Sequence, residues 1–145
     1  MTTSTISIEP NSVHSELSNE IEQNLLQALT ELNAQSTNTT IVLTARDADG
    51  KIVGGVSGST SYGWFLVKLL WVSNQLRGTG IGKRLILEAE EYSRKRGCHG
   101  AWLDTSNPQA REFYLRLGYS DFGVLGNGQD KQPVGHKRWF MKKSL

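Results

Sequence analysis

The chain has 145 residues, 37% of them hydrophobic, and a formal net charge of +2. This length suffices for one domain with a sizeable core, so we predict a single domain over residues 1–145. No apolar run reaches the ~20 residues of a membrane span, and no basic segment precedes an apolar one at the N-terminus, which predicts a cytoplasmic protein without membrane association. The single Cys98 fits a reducing compartment, and three dispersed histidines predict no metal site.

The first half of the chain predicts a strand, a long helix and a β-hairpin. Residues 4–9 alternate apolar and polar side chains, which predicts a short strand. Apolar residues at steps of three and four predict one amphipathic helix over residues 13–34. Residues 40–46 and 51–57 flank Asp-Ala-Asp-Gly at 47–50, a hairpin turn signal.

A strand, a glycine-rich turn and a helix follow. The small polar residues 57–63 predict another turn before an apolar strand over residues 64–72. Three glycines in five residues then remove the Cβ atoms that would keep an anion away from the backbone. A helix that begins there directs its free N–H groups at the turn, and Arg77, Lys83 and Arg84 add positive charge. The turn is therefore predicted to hold a phosphate or pyrophosphate.

Spacing excludes two common phosphate-binding loops. A Walker loop ending at Gly82–Lys83 needs glycine at position 77 and a hydroxyl at position 84, and both positions are arginine. A dinucleotide fingerprint needs its third glycine one residue later than Gly82.

Charge also favours a polyanionic ligand in the second half of the chain. Residues 1–50 carry seven acidic residues and one basic residue, whereas residues 51–145 carry fifteen basic and seven acidic residues. The bases are scattered among acids and do not form a stripe with aromatic residues, so no nucleic-acid partner is expected.

The last third predicts alternating strands and a helix. Pro108 suits the first position of a helix, Asn107 or Ser106 suits its cap, and Gly118 marks its end. The remaining predicted segments are strands at 101–104, 119–125 and 138–142, and a loop at 126–135.

Two motifs resemble those of the GNAT superfamily of N-acetyltransferases. Gln75-x-x-Gly78-x-Gly80-x-Gly82 is similar to its acetyl-CoA-binding signature. The segment Asn107–Tyr119 resembles its Asn-x-x-Ala-x-x-x-Tyr-x-x-x-Gly-Phe/Tyr helix. The resemblance implies a single α/β domain whose mixed, twisted sheet of six or seven strands has helices on both faces. It also implies acetyl transfer from acetyl-CoA to a primary amine, on a small molecule or a peptide, by direct attack in a ternary complex, and a homodimer.

The resemblance also implies the residues that bind the cofactor. The backbone near Trp71 and Val72 would bond the pantetheine arm. The remaining positions would hold the diphosphate or contact the cofactor; Gln75 and Arg77 could instead face solvent, and Asn107 could simply cap its helix. These remaining positions are Gln75, Arg77, Gly78, Thr79, Gly80, Ile81, Gly82, Lys83 and Asn107.

Tyr114 resembles the family tyrosine that protonates the leaving thiolate, which is the predicted catalytic role. The alternative is that Tyr114 only packs its helix against the sheet. No general base is identified: Asp104, a base acting through water and no base at all stay open, and His136 could reach the acceptor. Trp64 or Trp139 could line the acceptor pocket or pack in the core. The rival function is a non-catalytic acyl-CoA-binding regulatory module.

Overall fold

The computed structural model describes residues 5–12, 14–32, 36 and 38–145, and divides into two compact units, Met1–Gln35 and Ser36–Leu145. In the first unit, helix α1 spans Ser15–Leu32, within the range predicted as helix. Residues 13, 33 and 34 of that range lie outside the described residues. The predicted strand at residues 4–9 is wrong for its described part, since residues 5–9 adopt no regular structure. Alternation alone does not form a strand, because each strand needs a neighbour to satisfy its backbone hydrogen bonds.

The second unit is a mixed six-stranded sheet with two α-helices. The strand order is β1-β2-β3-β4-β6-β5, and only β3 and β4 run parallel. This arrangement, with the three helices, confirms the predicted α/β fold. The strands are β1 (Thr40–Arg46), β2 (Ile52–Ser61), β3 (Trp64–Val72), β4 (Gly100–Thr105), β5 (Ser120–Gly126) and β6 (Lys137–Ser144), and the helices are α2 (Ile81–Arg94) and α3 (Pro108–Arg116).

The turn predicted at residues 57–63 is much shorter than expected. Strand β2 continues to Ser61, and the turn consists of Tyr62 and Gly63, with φ angles of 50° and 82°. Two positive φ angles match the twist of the flanking strands. The small residues serve packing instead: a Cβ on Gly58 would lie 2.0 Å from the carbonyl oxygen of Leu66.

Strands β3 and β4 pair over only three residues each. Trp64–Leu66 pair with Gly100–Trp102, although both strands continue beyond that point. Just past it, the register between β2 and β3 shifts so that Lys68 is an extra, bulged residue between Val67 and Leu69. The parallel strands therefore separate toward their C-terminal ends and leave a gap in the sheet.

The core lies between the sheet and helices α2 and α3. Helix α2 contributes Leu85, Ile86 and Ala89, which are buried against strand residues such as Phe65 and Leu103. One carboxylate is buried there as well: Glu90 is 2% exposed. Its side chain accepts hydrogen bonds from the Tyr119 hydroxyl (2.8 Å) and the Lys143 ammonium (2.7 Å). This network ties α2 to the start of β5 and to β6.

Candidate functional site

The turn between β3 and α2 depends on two glycines in the left-handed region. Gly78 has φ of 80° and Gly80 has φ of 88°. A Cβ at either position would meet nothing within 4 Å. Backbone conformation therefore requires glycine here, and the same absence of side chains leaves the turn open to a ligand.

Helix α2 begins with free backbone amides. The carbonyl oxygen of Gly80 accepts the first helical hydrogen bond, from the N–H of Arg84 at 3.0 Å. The amides of Ile81, Gly82 and Lys83 precede that bond, so they have no partner within the helix, and Gly80 offers no side-chain cap. Together with the helix dipole, these N–H groups form a binding site for an anion.

A cavity of about 460 Å³ opens in front of these amides. It brings together most of the predicted cofactor residues, namely Val72, Arg77, Gly78, Gly80, Ile81, Gly82, Lys83 and Asn107. It also contains residues that the sequence analysis did not select, namely Leu70, Leu76, Gln109, Ala110 and Phe113. Ala110 and Phe113 follow Asn107 at steps of three, so helical spacing carried a signal for these two residues.

Three predicted cofactor side chains do not line this cavity. Trp71 alternates with Leu70 and Val72 along β3, so its side chain is on the other face of the strand, where it is 51% exposed. Gln75 is exposed in a short 3₁₀ turn. The hydroxyl of Thr79 donates to the carbonyl of Leu76 within the turn.

A second cavity, of about 250 Å³, fills the gap where β3 and β4 separate. It is bounded by the ends of both strands and by α3. It shares Leu70, Asn107, Ala110 and Phe113 with the first cavity, so the two adjoin. Its other lining residues are Val67, Lys68, Leu103, Asp104, Thr105 and Tyr114. The two cavities therefore provide an anion-binding region that leads to a gap in the sheet.

Asn107 and Tyr114 reach this gap from opposite ends of α3. Asn107 caps the helix, because its side-chain oxygen accepts from the N–H groups of Gln109 (2.9 Å) and Ala110 (3.4 Å). Tyr114 is buried, with edge-to-face contacts to Phe113 and Tyr119. Burial raises the pKa of the Tyr114 phenol to about 12, so the hydroxyl stays protonated near neutral pH. Tyr114 thus packs in the core and also lines the gap.

Asp104 lies at the end of β4, on the wall of the gap. It forms an ion pair with Arg138 of β6: the Arg138 Nε lies 2.9 Å and Nη2 2.7 Å from Oδ1 of Asp104. No sequence pattern indicated Arg138, because only the register between β4 and β6 brings it beside Asp104.

The other predicted acceptor residues lie elsewhere. His136 contacts the Ser106 hydroxyl at 3.3 Å, Trp64 packs edge-on against His99, and Trp139 lies under the guanidinium of Arg111. None of these side chains lines either cavity.

No group of three metal-ligating side chains occurs within the described ranges. In the same part of the chain, no helix has the length and apolar character to span a membrane.

Comparisons with known proteins find related sequences and a similar fold. A family model described as the acetyltransferase (GNAT) family matches residues 9–119. An acetyltransferase of Agrobacterium fabrum is 42% identical over 101 residues, which cover 70% of this chain and 72% of that protein. The blasticidin-S acetyltransferase of Streptomyces morookaense is 44% identical over 71 residues, covering 48% of this chain and 52% of the relative. A crystal structure from Agrobacterium tumefaciens, assigned as an acetyltransferase, superposes with a TM-score of 0.84 at 32% identity, over 97% of this chain and all of that one.

Proposed function

This chain belongs to the GNAT family of acetyltransferases, and we propose that it transfers an acetyl group from acetyl-CoA to a primary amine by direct attack in a ternary complex. One observation carries the proposal. A cavity with free helix amides adjoins a gap between two parallel strands that Tyr114 lines. The first suits a diphosphate, and the second is a place where a thioester and an amine can meet.

The proposed cofactor site follows the order of the cavity residues. The diphosphate of acetyl-CoA lies on the amides of Ile81, Gly82 and Lys83, with the side chains of Arg77 and Lys83 nearby. The pantetheine arm runs toward the gap along the backbone of Trp71 and Val72. Leu70 and Phe113 line both cavities and provide the apolar contacts along this path.

The proposed chemistry needs one proton donor from the protein. The neutral amine attacks the thioester carbonyl carbon, the carbon–sulfur bond breaks, and sulfur leaves with the electron pair. Tyr114 donates its hydroxyl proton to this thiolate and regains a proton from solvent, which also takes the proton that the amine nitrogen loses. The phenol is protonated before the reaction, but its raised pKa makes it a weaker acid, so the proposed role depends on the position of Tyr114 in the gap.

We propose that the acceptor is the amine of a small molecule. The support is the similarity to a relative that is named for acetylation of blasticidin-S. The gap is also small, about 250 Å³, which suits one amine-bearing arm of an acceptor.

The test has two parts. Acetyl-CoA, ATP and NAD are titrated separately by calorimetry, and only acetyl-CoA should bind. A panel of primary amines, assayed by release of free CoA thiol, should then identify acceptors. Tight binding without thiol release for any amine would favour the acyl-CoA-binding regulatory module, and absence of acetyl-CoA binding would refute the cofactor assignment.

A further inference from the structure

We propose that Asp104 binds the nitrogen of the acceptor amine, and that Arg138 positions the Asp104 carboxylate for this contact. The inference rests on the proposed function and adds a residue that touches the acceptor. It also predicts the acceptor's charge, because a carboxylate at this position selects amines that arrive as ammonium ions.

The location of Asp104 is the first argument. Strand β4 loses its pairing with β3 after Trp102, so Asp104 borders open space where a paired strand would otherwise continue. Asp104 and Tyr114 line the same gap. An amine held by Asp104 would thus be inside the cavity that also contains the proposed proton donor.

The hydrogen bonding of Asp104 is the second argument. Both guanidinium contacts from Arg138 go to one carboxylate oxygen, Oδ1. Oδ2 has no hydrogen-bond donor among the residues that the structure describes. The Asp104 side chain is 30% exposed, so Oδ2 is available to a ligand. Arg138 fixes the carboxylate without occupying both of its oxygens.

Charge inside the gap is the third argument. The lining contains two charged side chains, Asp104 and Lys68. Lys68 is on the bulge of β3, which is the other wall of the gap. An ammonium group is repelled by Lys68 on the β3 wall, and on the β4 wall it can bind Asp104 at Oδ2, the oxygen that Arg138 does not contact. The bound ammonium ion loses a proton to solvent water before it attacks, and the neutral amine still carries N–H donors, so Asp104 can hold the nitrogen in both states.

The test compares two Asp–Arg ion pairs whose carboxylates are similarly exposed. Asp121 pairs with Arg111 at 2.6 Å, and its side chain is 27% exposed, but it lines neither cavity. Asp104→Asn should raise the KM for the amine about 10- to 100-fold, as expected for loss of a charged hydrogen bond. The KM for acetyl-CoA should stay unchanged. Asp121→Asn is the control and should alter both KM values less than about 2-fold.

Arg138 is tested as a positioning residue. Arg138→Gln should raise the KM for the amine less than Asp104→Asn does, with kcat nearly unchanged. Arg138→Lys, which keeps the charge beside Oδ1, should recover part of that loss. If Arg138→Gln and Asp104→Asn lower kcat equally and leave the KM for the amine unchanged, the positioning role is contradicted.

Failure of this inference differs from failure of the proposed function. If the wild-type protein acetylates an amine and Asp104→Asn retains the wild-type KM for it, the inference is wrong and the acetyltransferase stands. If the wild-type protein binds acetyl-CoA but acetylates no amine, the proposed function fails, and the inference fails with it. Melting temperatures of all variants exclude unfolding as the cause.

Discussion

Tyr114 combines a structural and a chemical role at the scale of one residue. Its ring packs in the core, so Tyr114→Phe should keep the fold. Removing the hydroxyl should lower kcat about 100-fold, in the range for loss of a general acid, while the Kd for acetyl-CoA stays the same. Steady-state kinetics and calorimetry measure the two effects separately. Tyr92→Phe, on the exposed side of α2, is the control, and equal kcat values for both variants would refute the acid role.

The buried phenols also predict how stability depends on pH. Burial raises the pKa of Tyr114 to about 12, and burial together with Glu90 raises the pKa of Tyr119. Unfolded tyrosines ionise near pH ~10, so the unfolded chain binds fewer protons above that pH and stability falls as pH rises. The free energy of unfolding should decrease by roughly 1 kcal/mol per pH unit for each tyrosine above pH ~10. Denaturant titrations at pH 8, 10 and 11 measure this, and the Tyr114→Phe variant should show a shallower slope.

The turn between β3 and α2 can be tested as an element. Gly80→Ala forces an L-residue to φ of 88°, at a cost of roughly 1–2 kcal/mol, and relaxation of that strain moves the helix amides. We expect lower stability and a weaker Kd for acetyl-CoA. Gly128→Ala is a matched control, because Gly128 has no close neighbour within 4 Å and no positive φ. If both variants bind acetyl-CoA equally well, the turn conformation does not position the amides.

Elements with strong local signals were predictable from the sequence. The bounds of Thr40–Arg46 and Trp64–Val72 agree with prediction, because apolar runs beside turn residues define strands locally. The extension of β2 to Ser61 was not predictable, since small polar residues are typical of turns. The need for a small residue at position 58 follows from the close approach of the Leu66 backbone, which is visible only in the structure.

The site divides in the same way. The glycine turn and the α3 motif are each one continuous stretch of sequence. Most of the residues that line their cavity could therefore be predicted. The pairing of Asp104 with Arg138 spans 34 residues and depends on strand register, which no local pattern specifies.

At the scale of the whole molecule, the buried Glu90 network links the cofactor helix to the last strand. Glu90→Gln leaves the ammonium of Lys143 beside a neutral partner. The side chain of Lys143 is 20% exposed. Loss of one partner of a buried pair costs about 3–5 kcal/mol, and partial exposure of Lys143 should lower this to roughly 2–3 kcal/mol. Glu88→Gln is the control, since its pair with Arg84 is exposed at 3.9 Å and its loss should leave the denaturation midpoint unchanged. Replacing the whole network, Glu90→Leu with Lys143→Met and Tyr119→Phe, should recover most of the lost stability, because neither an unpaired charge nor the Tyr119 hydroxyl, which donates to Glu90, remains buried without a partner. A triple variant less stable than Glu90→Gln would instead mean that the charged network itself stabilises the fold.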